Sequence, residues 1–278
     1  MRSDRLRRLL CRGLVWLVIT GVAPATAAGR EVVLGVMPYQ TPRTLIAAYQ
    51  PLAHHLEAGL GRPVRLVTAP DVKTFGQRIL AGDYDLVLAP AHLVRLAQTT
   101  RGWQPLACNR PDNTVLIVAR RDSPLRGIAD LKGRIVATAD RGMLFSLAGE
   151  RYLAAAKLIA GRDYQIIETG GQASSVYAVV SGQADAAILT LAGAAMSPSQ
   201  DLSQVRVLAD AGTIPHLVYA ARPGFADARR AQDLLVHFSA PGFPRIEPAS
   251  AKRLAALDVY LDATRDALGL GQPAGRRR

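Results

Sequence analysis

Short runs of β-branched and apolar residues alternate with longer segments of helical periodicity along most of this chain. Strands are predicted over Glu31–Met37, Val64–Thr68 and Leu86–Ala89. Between the first two, apolar residues recur at helical spacing behind Thr41, a predicted N-cap, and Pro42 at the first helical position. Strands that alternate with helices form crossover units, so the pattern predicts an α/β fold with a mostly parallel sheet.

A second set of alternating elements of similar size follows the first. Its predicted strands include Thr114–Ala119, Tyr164–Glu168 and Ala186–Leu189. Two helical stretches, Ala226–Phe238 and Pro248–Leu268, follow this set. Two such sets predict two α/β lobes. In open sheets of this kind, ligands bind beyond the carboxyl ends of the strands and often between domains, so the loops at those ends are the first candidates for a site.

The first 28 residues have the three-part layout of a secretory signal. A basic stretch through Arg12 precedes the apolar run 14–19, and small residues follow at positions 25–28. This layout predicts export, with cleavage after Ala27 or Ala28. The apolar run is short for a membrane span, although an uncleaved anchor is the alternative interpretation.

The net charge of +12 arises from 34 Lys and Arg against 22 Asp and Glu. Residues 1–27 and the C-terminal triplet Arg276–Arg278 supply more than half of this excess. The rest is scattered, without a basic stripe or interleaved aromatic residues. The distribution therefore predicts no nucleic-acid partner.

Cysteine use and motif content argue against an enzyme or a metalloprotein. Cys11 lies in the predicted signal, so Cys108 is alone in the mature chain and is expected to be a buried apolar residue rather than a nucleophile. Zinc-binding spacings are absent from the sequence, as are GxSxG, the GxxxxGK[ST] phosphate loop and GxGxxG. We predict no enzymatic activity, no cofactor and no metal.

An ordered set of short stretches covers most of residues 32–221. The stretches are Gly35–Tyr39, Tyr49–Leu56, Leu60–Val64, Gly82–Leu86, Ala89–Pro90, Asp130–Gly133, Val136–Ala137 and Ser181–Ala187. The set resembles the phosphate, phosphite and phosphonate substrate-binding proteins of ABC transporters. The resemblance implies a two-lobed type 2 periplasmic binding protein with a ligand cleft between its lobes, located in the periplasm.

The resemblance also implies how the chain is divided. In this fold the first lobe is built from both chain ends and the second is an insertion. The predicted parts are a signal over 1–28, a first lobe over 29–114 and 222–270, a second lobe over 115–221 and a basic tail over 271–278.

One segment departs from the pattern of the phosphonate-binding members. They carry hydroxyl residues that hold the phosphonate oxygens, whereas this chain has Met143, Leu144 and Phe145 there. This departure favours a partly apolar anion over phosphate or a simple phosphonate.

By resemblance, the chain is a monomeric substrate-binding protein of an ABC importer. It would capture a small anionic solute, either phosphonate- or phosphate-like or another organic anion, by lobe closure and deliver it to a membrane permease. The alternative is a periplasmic ligand-sensing partner of a membrane receptor or histidine kinase, because one fold can serve both roles.

Candidate ligand contacts lie in the predicted loops and at the predicted helix starts. They are Tyr39, Thr41, Pro90, His92, Arg141, Ser174, Ser175, Tyr177 and Thr190. A guanidinium such as that of Arg141 can grip an oxyanion with two hydrogen bonds, and hydroxyls at a helix start can join free backbone N–H groups. The alternatives are capping for Thr41, core packing for Tyr39 and ordinary surface positions for His92 and Arg141.

Overall fold

The computed structural model describes residues 30–271. The predicted signal and all but one residue of the predicted basic tail lie outside these described residues. The strands are β1 (Val32–Val36), β2 (Val64–Val67), β3 (Leu86–Ala89), β4 (Gln104–Arg110), β5 (Asn113–Arg120), β6 (Ile135–Thr138), β7 (Gln165–Glu168), β8 (Ala186–Thr190), β9 (Val205–Ile214), β10 (Val218–Ala221) and β11 (Arg245–Pro248).

Ten α-helices within residues 30–271 connect and follow these strands. They are α1 (Pro42–Leu60), α2 (Val72–Ala81), α3 (Ala91–Arg101), α4 (Leu144–Ala155), α5 (Gln172–Val180), α6 (Leu191–Ala194), α7 (Ser199–Leu202), α8 (Ala228–His237), α9 (Ala251–Ala255) and α10 (Leu261–Ala267). Short 3₁₀ segments occupy Ile128–Leu131 and Ala256–Tyr260.

The strands form two separate sheets, and this arrangement confirms the predicted two-lobed α/β architecture. The first sheet has the order β11-β4-β10-β3-β1-β2, and the second has the order β7-β6-β8-β5-β9. In the first sheet β1 runs parallel to β2 and β3, and in the second β6 runs parallel to β7 and β8. We call each sheet with its packed helices a lobe.

Within the described residues, the chain passes between the sheets twice. The first connection is 111–112, between β4 and β5, and the second is 215–217, between β9 and β10. β10 pairs with β3 and β4, although the predicted boundaries group its residues with the second lobe. Asn113 and Thr114 pair with β9 of the second sheet.

The first long helix illustrates how local sequence sets an element. The Thr41 side chain accepts a hydrogen bond from the N–H of Thr44, and Pro42 occupies the first turn, as predicted. The helix ends at Gly61, whose φ of 65° lies in the left-handed region that favours glycine. Its buried face, which includes Leu52 and Leu56, packs on the first sheet beside α8.

Three parts of the chain differ from the sequence prediction. The strands β4 and β11 were not predicted. The helix expected over Pro248–Leu268 is instead divided into α9, a 3₁₀ segment and α10, and residue 248 ends β11. The sequence predicts a helix from about Met143 to Ala160, whereas α4 ends at Ala155, before a left-handed residue at Lys157 with φ of 65°.

Candidate functional site

A cavity of about 570 Å³ lies between the lobes and beside both connections. Its wall contains residues that follow the carboxyl ends of β1, β3, β6, β7 and β8. This is the position that open α/β sheets offer to ligands. The cavity is therefore the candidate site.

Most of the wall is apolar and comes from both lobes. The larger apolar residues are Met37, Tyr49, Phe243, Met143, Phe145, Met196 and Ile214. The rings of Tyr49 and Phe243 meet edge to face, with centroids 5.5 Å apart and planes at 89°. Such a wall can cover an apolar part of a ligand and exclude water from it.

Two tyrosines form a hydroxyl pair at the first-lobe wall. The hydroxyl oxygens of Tyr39 and Tyr49 are 3.0 Å apart. Burial and the neighbouring phenols of Tyr39 and Tyr219 raise the pKa of Tyr49, so this hydroxyl stays protonated at neutral pH. The pair thus contributes neutral polar groups and not a charge.

In the second lobe, Gln172 at the start of α5 is fixed against the end of β8. Its Oε1 accepts hydrogen bonds from the N–H of Thr190 at 2.6 Å and from the Thr190 hydroxyl at 3.1 Å. The Thr190 hydroxyl oxygen also accepts from the N–H of Gly193 at 2.9 Å. Because Oε1 is occupied, Nε2 is the part of this amide left to donate to a ligand.

Three longer helices, α3, α4 and α5, begin at the cavity without a side-chain cap. Pro90 precedes α3 and Met143 precedes α4, and neither provides a capping hydrogen bond. Ala91, Leu144 and Phe145 in the first turns line the cavity. The first N–H groups of a helix lack intrahelical partners and carry positive partial charge, so these starts favour an anion.

Arg110 is the one arginine among the described cavity residues, and it is already neutralised. Its Nη1 donates to Asp112 at 2.7 Å, and its Nε lies 3.2 Å from a carboxylate oxygen of Glu247. Arg253 also donates to Asp112. The guanidinium of Arg110 is therefore held by carboxylates outside the cavity wall.

His216 on the second connection is neutral. Its Nδ1 accepts a hydrogen bond from the N–H of Leu217 at 2.7 Å, which leaves the proton on Nε2. Burial lowers the pKa of His216 below its ordinary value. No aspartate, glutamate or lysine is among the described residues that line the cavity.

Asn109 on β4 is a cavity residue that the sequence analysis missed. It is 1% exposed, and its Oδ1 has no hydrogen-bond partner among the described residues. Its backbone N–H donates to the carbonyl of Leu217 at 2.9 Å, which fixes this residue beside the second connection. A buried amide oxygen without a partner is uncommon, because leaving it unpaired costs free energy.

The structure brings three of the nine predicted residues, Tyr39, Pro90 and Thr190, to the cavity. Thr41 is exposed and caps α1. Ser174 is also exposed, and 56% of Tyr177 is accessible. Neither Thr41, Ser174 nor Tyr177 is part of the cavity wall.

Ser175 and His92 are buried in the interior. The Ser175 hydroxyl donates to the carbonyl of Gly171 at 3.2 Å and lies 2.7 Å from the hydroxyl of Thr169. His92 on α3 donates from Nε2 to the carbonyl of Gly142 in the second lobe at 2.9 Å. Burial lowers the pKa of His92 to about 4, so its ring is neutral, and the buried Nδ1 has no partner among residues 30–271.

Arg141 lies at a second cleft between the lobes, of about 560 Å³. Its guanidinium donates twice to Glu150, at 3.0 and 2.6 Å, and this ion pair raises the pKa of Arg141. Lys73 and Asp266 also line this cleft. The main cavity is thus separate from the arginine that the sequence favoured.

Within residues 30–271, no group of three or more His, Cys, Asp or Glu side chains is arranged to hold a metal ion. In the same range, every helix is too short or too polar to cross a membrane.

Comparison with models of known protein families shows which family this chain matches. A model of the family described as "ABC transporter, phosphonate, periplasmic substrate-binding protein" matches residues 34–252. No curated protein matches the chain.

Solved structures share the fold at low sequence identity. A Xanthomonas citri protein bound to chloride ion is 18% identical, with a TM-score of 0.73, and the match covers 85% of this chain and 99% of that one. PhnD1 from Prochlorococcus marinus, in complex with methylphosphonate, is 12% identical, with a TM-score of 0.72 and coverage of 87% and 99%. The aliphatic sulphonate-binding protein SsuA from Escherichia coli is 17% identical, with a TM-score of 0.59 and coverage of 87% and 94%. The shared fold is that of type 2 periplasmic binding proteins.

Proposed function

Because the chain belongs to the family of periplasmic substrate-binding proteins of phosphonate ABC transporters, we propose that it captures a small, partly apolar anion between its lobes. It then delivers this solute to the permease of an ABC transporter. Members of this family are binding proteins of the periplasm, so we expect no turnover of the solute. The predicted cleavable signal would provide export.

The observation that carries the proposal is the arrangement of donors in the cavity. The uncapped starts of α3 and α4 and the Nε2 of Gln172 supply N–H groups, while the described wall contains no carboxylate. An anion in such a site is stabilised by helix ends and aligned dipoles without needing a free arginine. A cation would find no carboxylate on the described wall.

The apolar wall supports a solute with a hydrocarbon part. Met143 and Phe145 stand near the helix start that would face the anionic group. Burying each CH₂ group of a solute contributes about 0.8 kcal/mol. Longer alkyl phosphonates or sulfonates should therefore bind more tightly than phosphate or methylphosphonate.

We assign the contacts to a subset of the predicted residues together with Gln172. Tyr39, Pro90 and Thr190 line the cavity and Gln172 carries the free amide donor. The other six predicted residues lie outside its wall. Hydrogen bonds within the fold hold Thr41, His92, Arg141 and Ser175, whereas Ser174 and Tyr177 are exposed.

Capture would involve closure of the lobes about the two connections. A solute that contacts both lobes shifts the equilibrium toward the closed form only to the extent that it binds the closed form more tightly than the open form. Small-angle X-ray scattering should show a smaller radius of gyration at saturation with a verified solute. An unchanged radius would contradict lobe closure.

Calorimetric titration tests the solute class. Phosphate, methylphosphonate and a series of alkyl sulfonates and alkyl phosphonates from two to six carbons are added to ligand-free protein. We expect affinity to rise with chain length. Tightest binding by phosphate or methylphosphonate would contradict the partly apolar solute.

A pair of variants tests the site. Gln172→Ala should weaken binding of the best solute by about tenfold, because a hydrogen bond to a charged group is lost. Ser174→Ala, an exposed residue of the same helix outside the cavity, should leave the affinity within twofold. A larger loss of affinity in Ser174→Ala than in Gln172→Ala would show that Gln172 does not contact the solute.

A further inference from the structure

Asn109 lines the cavity, and no described residue uses its buried side-chain oxygen. Its Oδ1 is buried and has no partner among the described residues, although Asn109 itself is firmly held in β4. The residue lies in the first lobe, whereas Gln172 and the start of α4 lie in the second. A solute that spans the cavity would therefore present one end to each.

The charges around the cavity decide what kind of group can satisfy this oxygen. The candidates are a cationic ammonium group and a neutral donor such as a hydroxyl or an amide N–H. An ammonium group buried without a carboxylate partner is strongly unfavourable, and the described wall has no Asp or Glu. Two carboxylates outside the wall, those of Asp112 and Glu247, already hold the guanidinium of Arg110 and are not free to pair with a cation.

We propose that the solute carries a neutral hydrogen-bond donor at the end opposite its anionic group, and that Asn109 accepts from it. This inference rests on the proposed function, because it describes the far end of the same solute. Asn109 is thereby a specificity-determining residue. The site selects hydroxyl- or amide-bearing alkyl anions over aminoalkyl anions of the same length.

A matched set of sulfonates tests the inference on the unmodified protein. The set contains 3-hydroxypropanesulfonate, its aminopropane and butane counterparts, and 2-methoxyethanesulfonate, which can accept but cannot donate. Calorimetry should give the hydroxyl compound about tenfold higher affinity than the butane and methoxy compounds, which is the effect of one hydrogen bond. The amino compound should bind about 100-fold more weakly than the hydroxyl compound.

Variants at Asn109 test whether this residue causes the preference for the hydroxyl compound. Asn109→Leu should reduce the ratio of hydroxyl to butane affinity to about one. Asn109→Asp supplies the missing carboxylate and should reverse the preference between the hydroxyl and amino compounds. Circular dichroism checks the fold of each variant, and Ser174→Ala serves as the control outside the cavity.

The outcomes separate this inference from the proposed function. If alkyl sulfonates bind with no preference for the hydroxyl compound, the role of Asn109 is wrong and anion capture stands. Tighter binding of the amino compound would overturn the inference in the same way. If neither the sulfonates nor the corresponding phosphonates bind, both are overturned.

Discussion

The two lobes share the same strand order and direction over five strands. From one edge, the first sheet runs β2-β1-β3-β10-β4 and the second runs β7-β6-β8-β5-β9. In each, three parallel strands are followed by one that is antiparallel to both of its neighbours. In the first lobe this antiparallel strand is β10, the first strand after the chain returns from the second lobe. In the second lobe it is β5, the first strand after the chain enters that lobe. The first sheet then adds β11 at its far edge.

The lobes also use an aspartate in the same way but in different surroundings. Asp85, before β3, accepts from the N–H of Val33 at 2.9 Å, and Asp185, before β8, accepts from the N–H of Ile135 at 2.9 Å. Asp85 is 5% exposed and receives a 2.7 Å bond from Arg222. The same local arrangement is therefore buried in the first lobe and half-exposed in the second.

The two aspartates have different arginine partners, and for this reason Asp85 is expected to stabilise the fold more than Asp185 does. Arg222 directly follows β10, so its bond to Asp85 ties the end of β10 to the start of β3. Arg134 adjoins Ile135, and its contact with Asp185 is longer, at 3.5 Å, and more exposed. The first link joins residues 137 positions apart in the chain, and the second joins residues 51 positions apart.

Removing the two aspartates should give the largest contrast. Asp85→Ala is expected to lower the free energy of unfolding by about 3 kcal/mol, because a buried charged acceptor is lost from Val33 and Arg222. Asp185→Ala should cost about 1 kcal/mol, since solvent can replace part of its interactions. Urea unfolding measures both. Equal losses would show that burial does not distinguish the two positions.

The first turns of the helices after β3 and β8 differ in how they make the stability of the protein depend on pH. His92 lies in the first turn of α3, and Ala192 holds the corresponding place in α6. The pKa of His92 falls to about 4 in the folded protein, whereas an unfolded histidine has a pKa of about 6.5. The unfolded state therefore binds more protons in this window, and stability decreases as pH falls from about 6.5 through 4.

Urea unfolding at pH 7 and pH 5 checks this prediction. The His92 contribution to the decrease should be about 2 kcal/mol. His92→Asn keeps a donor toward Gly142 and removes the titration, so its decrease should be smaller by that amount. His216, whose pKa is also lowered by burial, contributes in the same direction in both proteins. Identical slopes would exclude His92 as a source.

The close approach of Gly193 to Gln172 in the second lobe gives a prediction with a smaller effect on stability. A Cβ atom placed at Gly193 would lie 2.1 Å from the side-chain amide carbon of Gln172. Gly193→Ala must displace Gln172 and is expected to cost 1–2 kcal/mol, of the order seen for overpacking, and to weaken solute binding. Gly127→Ala is the control, since no atom lies within 4 Å of its added carbon. Similar stability changes in the two variants would contradict the contact.

The smallest effect is expected at the exposed cap of α1. Thr41→Ala removes a long bond of 3.4 Å to the N–H of Thr44 and should cost about 0.5 kcal/mol. Solute affinity should not change, because Thr41 lies outside the cavity wall. A loss of affinity by calorimetry would restore Thr41 as a ligand contact.

Most of the fold could be predicted where apolar periodicity is strong, and the missed strands lack that signal. β3 consists of four buried apolar residues and was predicted with its observed bounds. β4 reads QPLACNR and β11 reads RIEP, so each contains a proline and β11 has a single buried apolar residue. Pairing with neighbouring strands, rather than local preference, makes these segments strands.

The candidate site was harder to predict because its polar groups depend on long-range contacts. Asn109 lies in the strand that was missed, so no local pattern marked it as facing a cavity. Arg141 had the expected chemistry, but Glu150, nine residues later, holds its guanidinium. Gln172 was overlooked beside Ser174 and Ser175, and a polar residue directly after Gly170–Gly171 at a helix start was the available signal.

The connections between the lobes form part of the cavity wall. Pro111 lies on one connection, and Pro215, His216 and Leu217 make up the other. A solute bound in the cavity would contact the hinge of the proposed motion, where a displacement of a fraction of an ångström becomes a large one at the outer tips of the lobes. Solutes that differ by one or two atoms would then set different angles between the lobes. The shape of the protein would report which solute is held, as well as whether one is present.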